Sequence, residues 1–287
     1  MKYLVTGSSG FIGTHLTSAL IADGHEVVPF DLQDQTGDIR NPEDFKDIKG
    51  LDGVYHLAAI ASVQETIKDP KGTYENNVLG TRNVFDFALG ANLPVVYASS
   101  AAVYGDNQNL PLSEDEAPKP MSPYAEQKLQ NESDANSYAQ KGLKSFGVRF
   151  FNIYGPGQDP TSPYSGVISI FHERLKTAQT ISIYGDGEQS RDFVYVSDAV
   201  KALIYAMNNA STEAPYANVC TQKTITLNRL YEIMRTLLKS DSELVYQPAR
   251  EGDIRHSEGD ARYMLELTGY KYDCSLEEGM TRLIREA

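Results

Sequence analysis

The chain is short of cysteine, of histidine and of positive charge. Its 287 residues include two cysteines, Cys220 and Cys274, far apart. That excludes a disulfide framework and the paired-thiol spacing of a zinc site. The five histidines form no HxxxH pair, so no metal site is expected. Lys and Arg total 26 against 39 Asp and Glu, a formal net charge of −13. Such a surface repels phosphate backbones and argues against nucleic acid as a partner. An anionic ligand then needs a local pocket of particular arginines and backbone N–H groups. Long apolar runs are missing too. The longest, around Val54 to Val63, is interrupted by His56 and Ser62 and is far too short to span a bilayer. A glycine-rich turn already lies within Met1 to Gly13, which no signal peptide would use. The expectation is a reduced, soluble, cytoplasmic protein with no membrane segment.

What is present is an ordinary globular mix, 41% hydrophobic and 23% charged, long enough for one large α/β unit or two lobes sharing a core. Short β-runs at Lys2–Thr6, Glu26–Phe30, Gly53–Leu57, Pro94–Ala98 and Ser145–Phe151 alternate with helical patterns at Phe11–Asp23, Thr73–Gly90 and Pro123–Gln140. Alternation of this kind implies parallel βαβ units and a doubly wound sheet of Rossmann type. After Tyr154 the pattern changes. A Pro-, Gly- and Ser-rich loop at 156–165 precedes helical segments at Gly166–Thr177, Ser197–Asn208, Leu227–Lys239 and Ser275–Arg285, with short strands between. The division expected is a dinucleotide-binding domain over 1–153 and a smaller α/β substrate lobe over 154–287, with part of the chain crossing back. No internal repeat or low-complexity tract occurs.

Three local patterns carry chemistry. GSSGFIG at 7–13 follows the first strand and opens a helix. Glycines there permit a tight turn and close approach of backbone to a pyrophosphate, and the helix N-terminus offers an anion site. A structural turn is the plainer alternative. Asp31 follows the second strand, where a carboxylate accepts from a ribose 2′-hydroxyl and repels a 2′-phosphate. No Arg or Lys occurs between Leu32 and Asp38, so NAD is expected over NADP. SPYAEQK places Tyr124 and Lys128 one helical turn apart on one face. An ammonium, with a positive nicotinamide ring, favours a phenolate and makes tyrosine a usable base. Ser99 and Ser100, at the carboxyl end of the strand before them, face the crevice where such sheets bind ligands. A serine pair capping a turn is the alternative reading.

The glycine turn, VYHLAA at 54–59, ENNVLGT at 75–81, ASSAAVYG at 98–105, YAEQK at 124–128, VRFFNIYGPGQDP at 148–160, SRDFVYVSD at 190–198 and REGDIRHS at 250–257 occur in this order. Together they resemble the NAD-dependent epimerase/dehydratase family of extended short-chain dehydrogenases, and most of all UDP-hexose 4-epimerases. The resemblance implies Tyr124 as base, Lys128 as its electrostatic partner and ribose ligand, and Ser100 as a contact to the sugar 4-OH. It implies an NAD site lined by Gly7, Gly10, Phe11, Ile12, Gly13, Asp31, Asp38, Ile39, Leu57, Ala58, Ala59 and Asn76, together with Tyr124 and Lys128. It implies a UDP-sugar site formed by Ser62, Ser100, Asn152, Val167, Tyr184, Arg191, Arg250, Asp253 and Ser257, and a homodimer built on the helices near 73–90 and 123–140. The arginines agree with diphosphate recognition through charge-assisted bonds, although Arg191 beside Asp192 and Arg250 beside Glu251 also read as surface pairs.

The chain departs from that pattern twice. The segment from Asp31 to Gly37 is short and lacks the extra strand that relatives carry before Gly-Asp-Ile. The adenosine end is therefore expected to be more open, and Asp38 and Ile39 are the less secure assignments. Ala101 and Ala102 follow Ser100, where 4,6-dehydratases of the family carry an Asp–Glu pair and related decarboxylases a Glu. Methyl groups support neither chemistry. The resemblance therefore points to C4 epimerisation through a transient 4-keto sugar. In the 4-epimerases that the chain resembles, the fourth residue after the Asp of REGD borders the sugar C2 substituent; here that is the small Ser257, and the resemblance implies acceptance of UDP-GlcNAc and UDP-GalNAc, alongside UDP-Glc and UDP-Gal. A UDP-uronic acid epimerase, a 4-ketosugar reductase, and a non-catalytic NAD-binding sensor are the alternatives, the last opposed by the intact Ser100, Tyr124 and Lys128.

Overall fold

The computed structural model describes residues 1–160, 166–249 and 254–286. Its main sheet forms from the β-branched runs read in the sequence: β1 (Lys2–Thr6), β2 (Glu26–Phe30), β3 (Gly53–His56), β4 (Val95–Ser100) and β5 (Ser145–Phe150). The strand order is β2-β1-β3-β4-β5, closed by a sixth strand, Tyr216–Val219, and every pairing is parallel. Parallel neighbours need crossovers, and helices supply them. Side chains alternate between the two faces. Tyr3, Val5, Val96, Phe146 and Val148 pack with Leu16 and Leu20 of α1 (Phe11–Ala22). Leu4, Val54, Val95 and Tyr97 pack on the other side with Val84, Phe85, Ala88, Ala135 and Tyr138. The result is a Rossmann-like α/β fold.

The helical pattern of 73–90 is not one regular helix. After α2 (Val63–Lys68) the chain forms α3 (Pro70–Tyr74), then a widened π-turn at Glu75–Leu79, then α4 (Gly80–Gly90). The cause is local. Asn77, inside the wide turn, donates to the Ile60 carbonyl and to Gln127 Oε1, and accepts from the Ile60 N–H. Burying an amide with those partners outweighs strict i→i+4 geometry. Gly80 is required at the end of the turn, because a Cβ there would sit 2.7 Å from Ile39 Cδ1.

The missing excursion after Asp31 leaves β2 as the sheet edge. Glu26 donates to the Met1 carbonyl and Phe30 accepts from the Gly7 N–H, so residues 26, 28 and 30 face β1 and residues 27 and 29 face outward. Pro29 is exposed and sits at an outward position with no N–H to offer. A proline there blunts an edge that would otherwise recruit another strand.

After α5 (Pro123–Ala139) and β5, β6 (Asn152–Tyr154) begins a second layer. It continues with α6 (Val167–Lys176), β7 (Ile181–Tyr184) and β8 (Ser190–Tyr195). α7 (Val196–Asn208) returns to pack beside α1, and β9 (Tyr216–Val219) is the strand that completes the main sheet. β10 (Thr224–Thr226), α8 (Leu227–Leu238), β11 (Leu244–Gln247), β12 (His256–Ser257), α9 (Arg262–Thr268) and α10 (Leu276–Glu286) follow. β8 lies between β10 and β12 and also pairs with β6, while β11 pairs with β7. A separate core of Ile168, Phe171, Ile181, Ile183, Phe193, Leu230, Met234 and Met280 fills this part. Among the described residues, no helix is long and apolar enough to cross a membrane.

Candidate active site

The glycine turn places the start of α1 against the end of β3. Gly7 has φ +73°, and a Cβ there would lie 2.6 Å from the Ala58 nitrogen. A Cβ on Gly13 would lie 2.0 Å from the Gly7 carbonyl oxygen. Neither position admits a side chain without moving backbone. Gly10 caps α1 and no side chain caps the helix, so the first-turn N–H groups around Phe11, Ile12 and Gly13 point into the crevice without a side-chain acceptor. Leu57, Ala58 and Ala59 follow β3 at the same edge, with the Leu57 N–H donating to the Thr6 carbonyl at 3.0 Å.

Asp31 lies beside this turn. Its Oδ2 accepts from the Ser9 N–H at 3.0 Å and its Oδ1 from the Gln33 N–H at 2.8 Å. The short segment behind it is tied back on itself. Asp31 N–H donates to Thr36 Oγ1 at 2.7 Å, and the Asp31 carbonyl accepts from the Thr36 and Gly37 N–H groups. This brings a second carboxylate, Asp34, onto the Ser9 hydroxyl. Asp38 is gripped by the Arg40 guanidinium, which holds its carboxyl below the usual range, chiefly through the hydrogen bond. Ile39 turns its side chain into the core, and its carbonyl accepts from Asn83 Nδ2. Asn76 donates to the side chain of Asn77.

At the carboxyl end of β4, Ser100 caps a short 3-10 turn, Ala101–Tyr104, by accepting from the Ala102 N–H at 3.2 Å. Its hydroxyl also reaches the Tyr124 phenol. Tyr124 is the second residue of α5, which Ser122 caps. Lys128, one turn on, is buried, donates to the Ala98 carbonyl at 2.8 Å and lies 5.9 Å from the Tyr124 ring centre. The charges differ from the expectation. Burial pushes the Tyr124 phenol up, and the Ser100 hydrogen bond opposes that. Burial also pulls the Lys128 ammonium down to about 8, opposed by Glu132. Lys128 therefore does not by itself lower Tyr124, because both groups share a site that disfavours charge.

On the second layer, Asn152 opens β6 and donates to the Asp192 carbonyl at 3.1 Å. Arg191 on β8 faces Ser257 on β12 in the strand register, so Ser257 is a strand residue and not a loose loop serine. Arg191 Nη1 donates to the Ser190 carbonyl at 2.9 Å and, more weakly, to that of Arg255. Val167 starts α6 and Tyr184 ends β7, half in solvent. Ser62 is buried and caps α2, accepting from the Glu65 N–H at 3.2 Å. Arg250 and Asp253 lie outside the described residues.

The sequence profile of the NAD dependent epimerase/dehydratase family matches residues 3–220. The chain belongs to that family. NAD is its cofactor, and the uncapped α1 terminus, the two glycine contacts and Asp31 fit that cofactor. A putative UDP-glucose 4-epimerase of Methanocaldococcus jannaschii is 33% identical, over 98% of this chain and 96% of its own. The UDP-glucose 4-epimerase of Thermotoga maritima, solved with UDP-glucose, has TM-score 0.95 at 32% identity, covering 100% of this chain and 98% of that one. The UDP-N-acetylglucosamine 4-epimerase of Methanobrevibacter ruminantium, solved with UDP-N-acetylmuramic acid, has TM-score 0.91 at 37% identity, covering 99% and 97%.

Several residues that hold this family site together were given no site role from the sequence. Buried His56 bridges Thr6 and Thr81, and burial pulls its imidazole down to about 3, so it is a neutral strut. Asp192 accepts from the Thr221 N–H and hydroxyl and from the Gln222 N–H, fixing the segment after β9 to β8. Glu132 and Arg149 form a buried ion pair below the end of β4. Of these, Glu132 was accessible to sequence reasoning, since it lies four residues beyond Lys128 and so on the same helical face.

The two carboxylates beside Ser9 give a cofactor prediction. Calorimetric titration should show NADP binding at least about tenfold more weakly than NAD, because a 2′-phosphate would meet both Asp31 and Asp34. Asp31→Ala with Leu32→Arg should narrow the gap only partly, and adding Asp34→Ser should narrow it further. Equal affinities in the unmodified protein would refute this account of the ribose site.

Proposed function

We propose that the chain catalyses C4 epimerisation of a UDP-hexose, with UDP-GlcNAc and UDP-GalNAc as substrates and UDP-Glc and UDP-Gal alongside them. The observation that carries the proposal is the convergence of Ser100, Tyr124 and Lys128 at the carboxyl end of β4, with only Ala101 and Ala102 where an additional acid or base would stand. In this reading Ser100 orients the 4-OH and Tyr124 Oη takes its proton. NAD, held by the glycine turn and Asp31, would supply the hydride acceptor and donor, and its positive ring would favour the Tyr124 phenolate. Lys128 keeps an ammonium behind the phenol. The 4-keto sugar turns over between the two transfers, and Tyr124 gives the proton back. Asn152, Val167, Tyr184, Arg191, Arg250 and Asp253 anchor the nucleotide diphosphate, which leaves the sugar free to rotate. No proton or hydride is lost in a full cycle.

The decisive assay is coupled measurement of C4 inversion over a panel of UDP-sugars, with the cofactor's redox state followed in parallel. Net accumulation of oxidised or reduced cofactor would mean a reductase instead. Tyr124→Phe keeps the ring and removes the ionisable group. It should lower turnover by roughly two to four orders of magnitude with nucleotide affinity little changed. Activity within a few-fold of the unmodified enzyme would end the assignment of Tyr124.

The assembly proposed is a homodimer through α4 and α5. The outward residues of α5 are polar, Glu126, Ser133, Asn136 and Ser137, and all are exposed. An interface of that composition is wet and weak. Sedimentation should show a concentration-dependent dimer; a monomer at every accessible concentration would remove the dimer from the proposal.

Acceptance of acetamido sugars rests on Ser257. It stands beside Arg191 across the β8–β12 pairing, and the reading places it at the C2 substituent of the sugar. The 37% identity to a UDP-N-acetylglucosamine 4-epimerase supports it. Ser257→Tyr should lower kcat/KM on UDP-GlcNAc and UDP-GalNAc by about ten- to hundredfold, the usual effect of overfilling a packed pocket, and spare the plain hexoses. An equal loss on both classes would contradict the steric reading.

A further inference from the structure

Beneath the proposed catalytic residues runs a continuous buried polar chain. Glu132 Oε1 accepts from the Ser99 hydroxyl at 2.6 Å and from Arg149 Nε at 2.8 Å, and its Oε2 accepts from Arg149 Nη2 at 2.7 Å. Arg149 Nη1 donates to the Tyr104 hydroxyl at 2.8 Å, and Tyr104 donates to Asn218 Oδ1 at 2.7 Å. The guanidinium also lies 4.0 Å from the Tyr216 ring centre. Arg149 is 1% exposed and Glu132 3%. A buried ion pair rarely improves stability over apolar residues of the same volume. Its retention under an active site therefore asks for another role, and its location supplies one. Ser99 precedes Ser100, and Glu132 follows Lys128 by one helical turn.

We propose that Glu132 is a positioning residue for the reaction: held by Arg149, it keeps a negative charge behind Lys128 and ties the β4 end that carries Ser100 to the helix that carries Tyr124. The inference rests on the roles proposed above for Tyr124 and Lys128.

The groups facing Lys128 are few. On its own helix these are Tyr124 and Glu132. From β3 comes His56, neutral in this setting. From β4 comes the Ala98 carbonyl, with Tyr97 and Ser99 to either side of it, and beyond Glu132 stand Arg149 of β5 and Tyr104. Glu132 is the group that opposes the burial of the Lys128 ammonium. The competent form of the pair is phenolate with ammonium, and it competes with neutral phenol and neutral amine, which hold the same number of protons. Raising the proton affinity of Lys128 above that of Tyr124 enlarges the competent share. Removing the Glu132 charge does the reverse. It also lowers the pH at which the fully protonated pair gives up its first proton.

Glu132→Gln should therefore do two things together. It should move the acid limb of kcat/KM down by about one pH unit, and it should lower the plateau kcat by about tenfold, since one unit of differential proton affinity is a factor of ten. Glu132→Asp keeps the charge and should leave the limb where it was. The double variant Glu132→Gln with Arg149→Met removes the orphaned guanidinium and repacks the site without charge; the shifted limb should persist in it. Wild-type behaviour in the double variant would mean that the pair is only a brace, and the proposal would fall. An Asp variant shifted as far as the Gln variant would overturn it equally.

A readout without turnover separates this from the epimerase reading. The chain has no tryptophan, so near-ultraviolet phenolate absorbance of NAD-loaded protein, less that of Tyr124→Phe, follows Tyr124 alone. Glu132→Gln should change that titration even if no UDP-sugar is turned over. An unchanged titration refutes the positioning role whatever the substrate proves to be.

Discussion

The structure depends on one constraint: polar groups buried under the ligand edge of the sheet are costly without partners, and the partners they find come from distant parts of the chain. An unpaired buried donor or acceptor costs about 1–3 kcal/mol, more when charged. The fold meets this with side-chain chains that run across elements. Thr6, His56, Thr81 and the Asn77 carbonyl form one, and Asn77, Gln127 and Thr73 continue it to α5. Ser99, Glu132, Arg149, Tyr104 and Asn218 form another, reaching the Leu112 carbonyl and Glu114. Asp192 binds the segment after β9 to β8. Because these links are directional, they fix helix register against strand ends more tightly than apolar packing does, and the crevice inherits that precision.

The same enclosure sets the electrostatics. With the protein alone, the site pushes Tyr124 toward the neutral phenol and Lys128 toward the neutral amine. On the proposed reading, phenolate chemistry at Tyr124 would call for added positive charge, which a cationic nicotinamide ring would supply when bound.

Much of this was legible in the sequence. Val-rich runs alternating with helices announced the parallel sheet, and the Gly7–Gly13 spacing announced the turn against Ala58, because only one backbone geometry accommodates those glycines. The YxxxK spacing was legible for the same reason, as a helix face is fixed by arithmetic. What escaped were features set by tertiary partners. The π-turn at Glu75–Leu79 has ordinary helical periodicity, and the reason for it is an amide contact to Ile60 across the crevice. The hydrogen bonds from Thr36 and Gly37 back to Asp31, which close the short segment on itself, leave no mark on composition. Arg149 sits in a run, Ser145–Phe150, that reads as an ordinary buried strand. Its carboxylate partner lies seventeen residues earlier, on a helix whose other face is polar and exposed.

Ser100 was read two ways, and the structure shows it as a cap that lies beside the Tyr124 phenol. As a cap it accepts from the Ala102 N–H, which uses an oxygen lone pair and fixes the hydroxyl's position at the end of β4. Its hydroxyl keeps its proton and a second lone pair, and it neighbours the Tyr124 phenol, whose anionic form it favours. A donor aimed at a phenol stabilises the phenolate more than the phenol, and one aimed at a sugar 4-oxygen stabilises the alkoxide character that develops as the proton leaves. The turn that follows explains why alanines suit this chain. Ala101 and Ala102 give the 3-10 turn its N–H donor and place nothing polar beside the reacting oxygen. A carboxylate at either position would compete for the Ser100 proton and add negative charge next to a group that must itself become negative. On the proposed reading of reversible proton and hydride exchange, with no bond to be eliminated, small side chains next to the serine suit the reaction, and the cap holds the serine where that reading needs it.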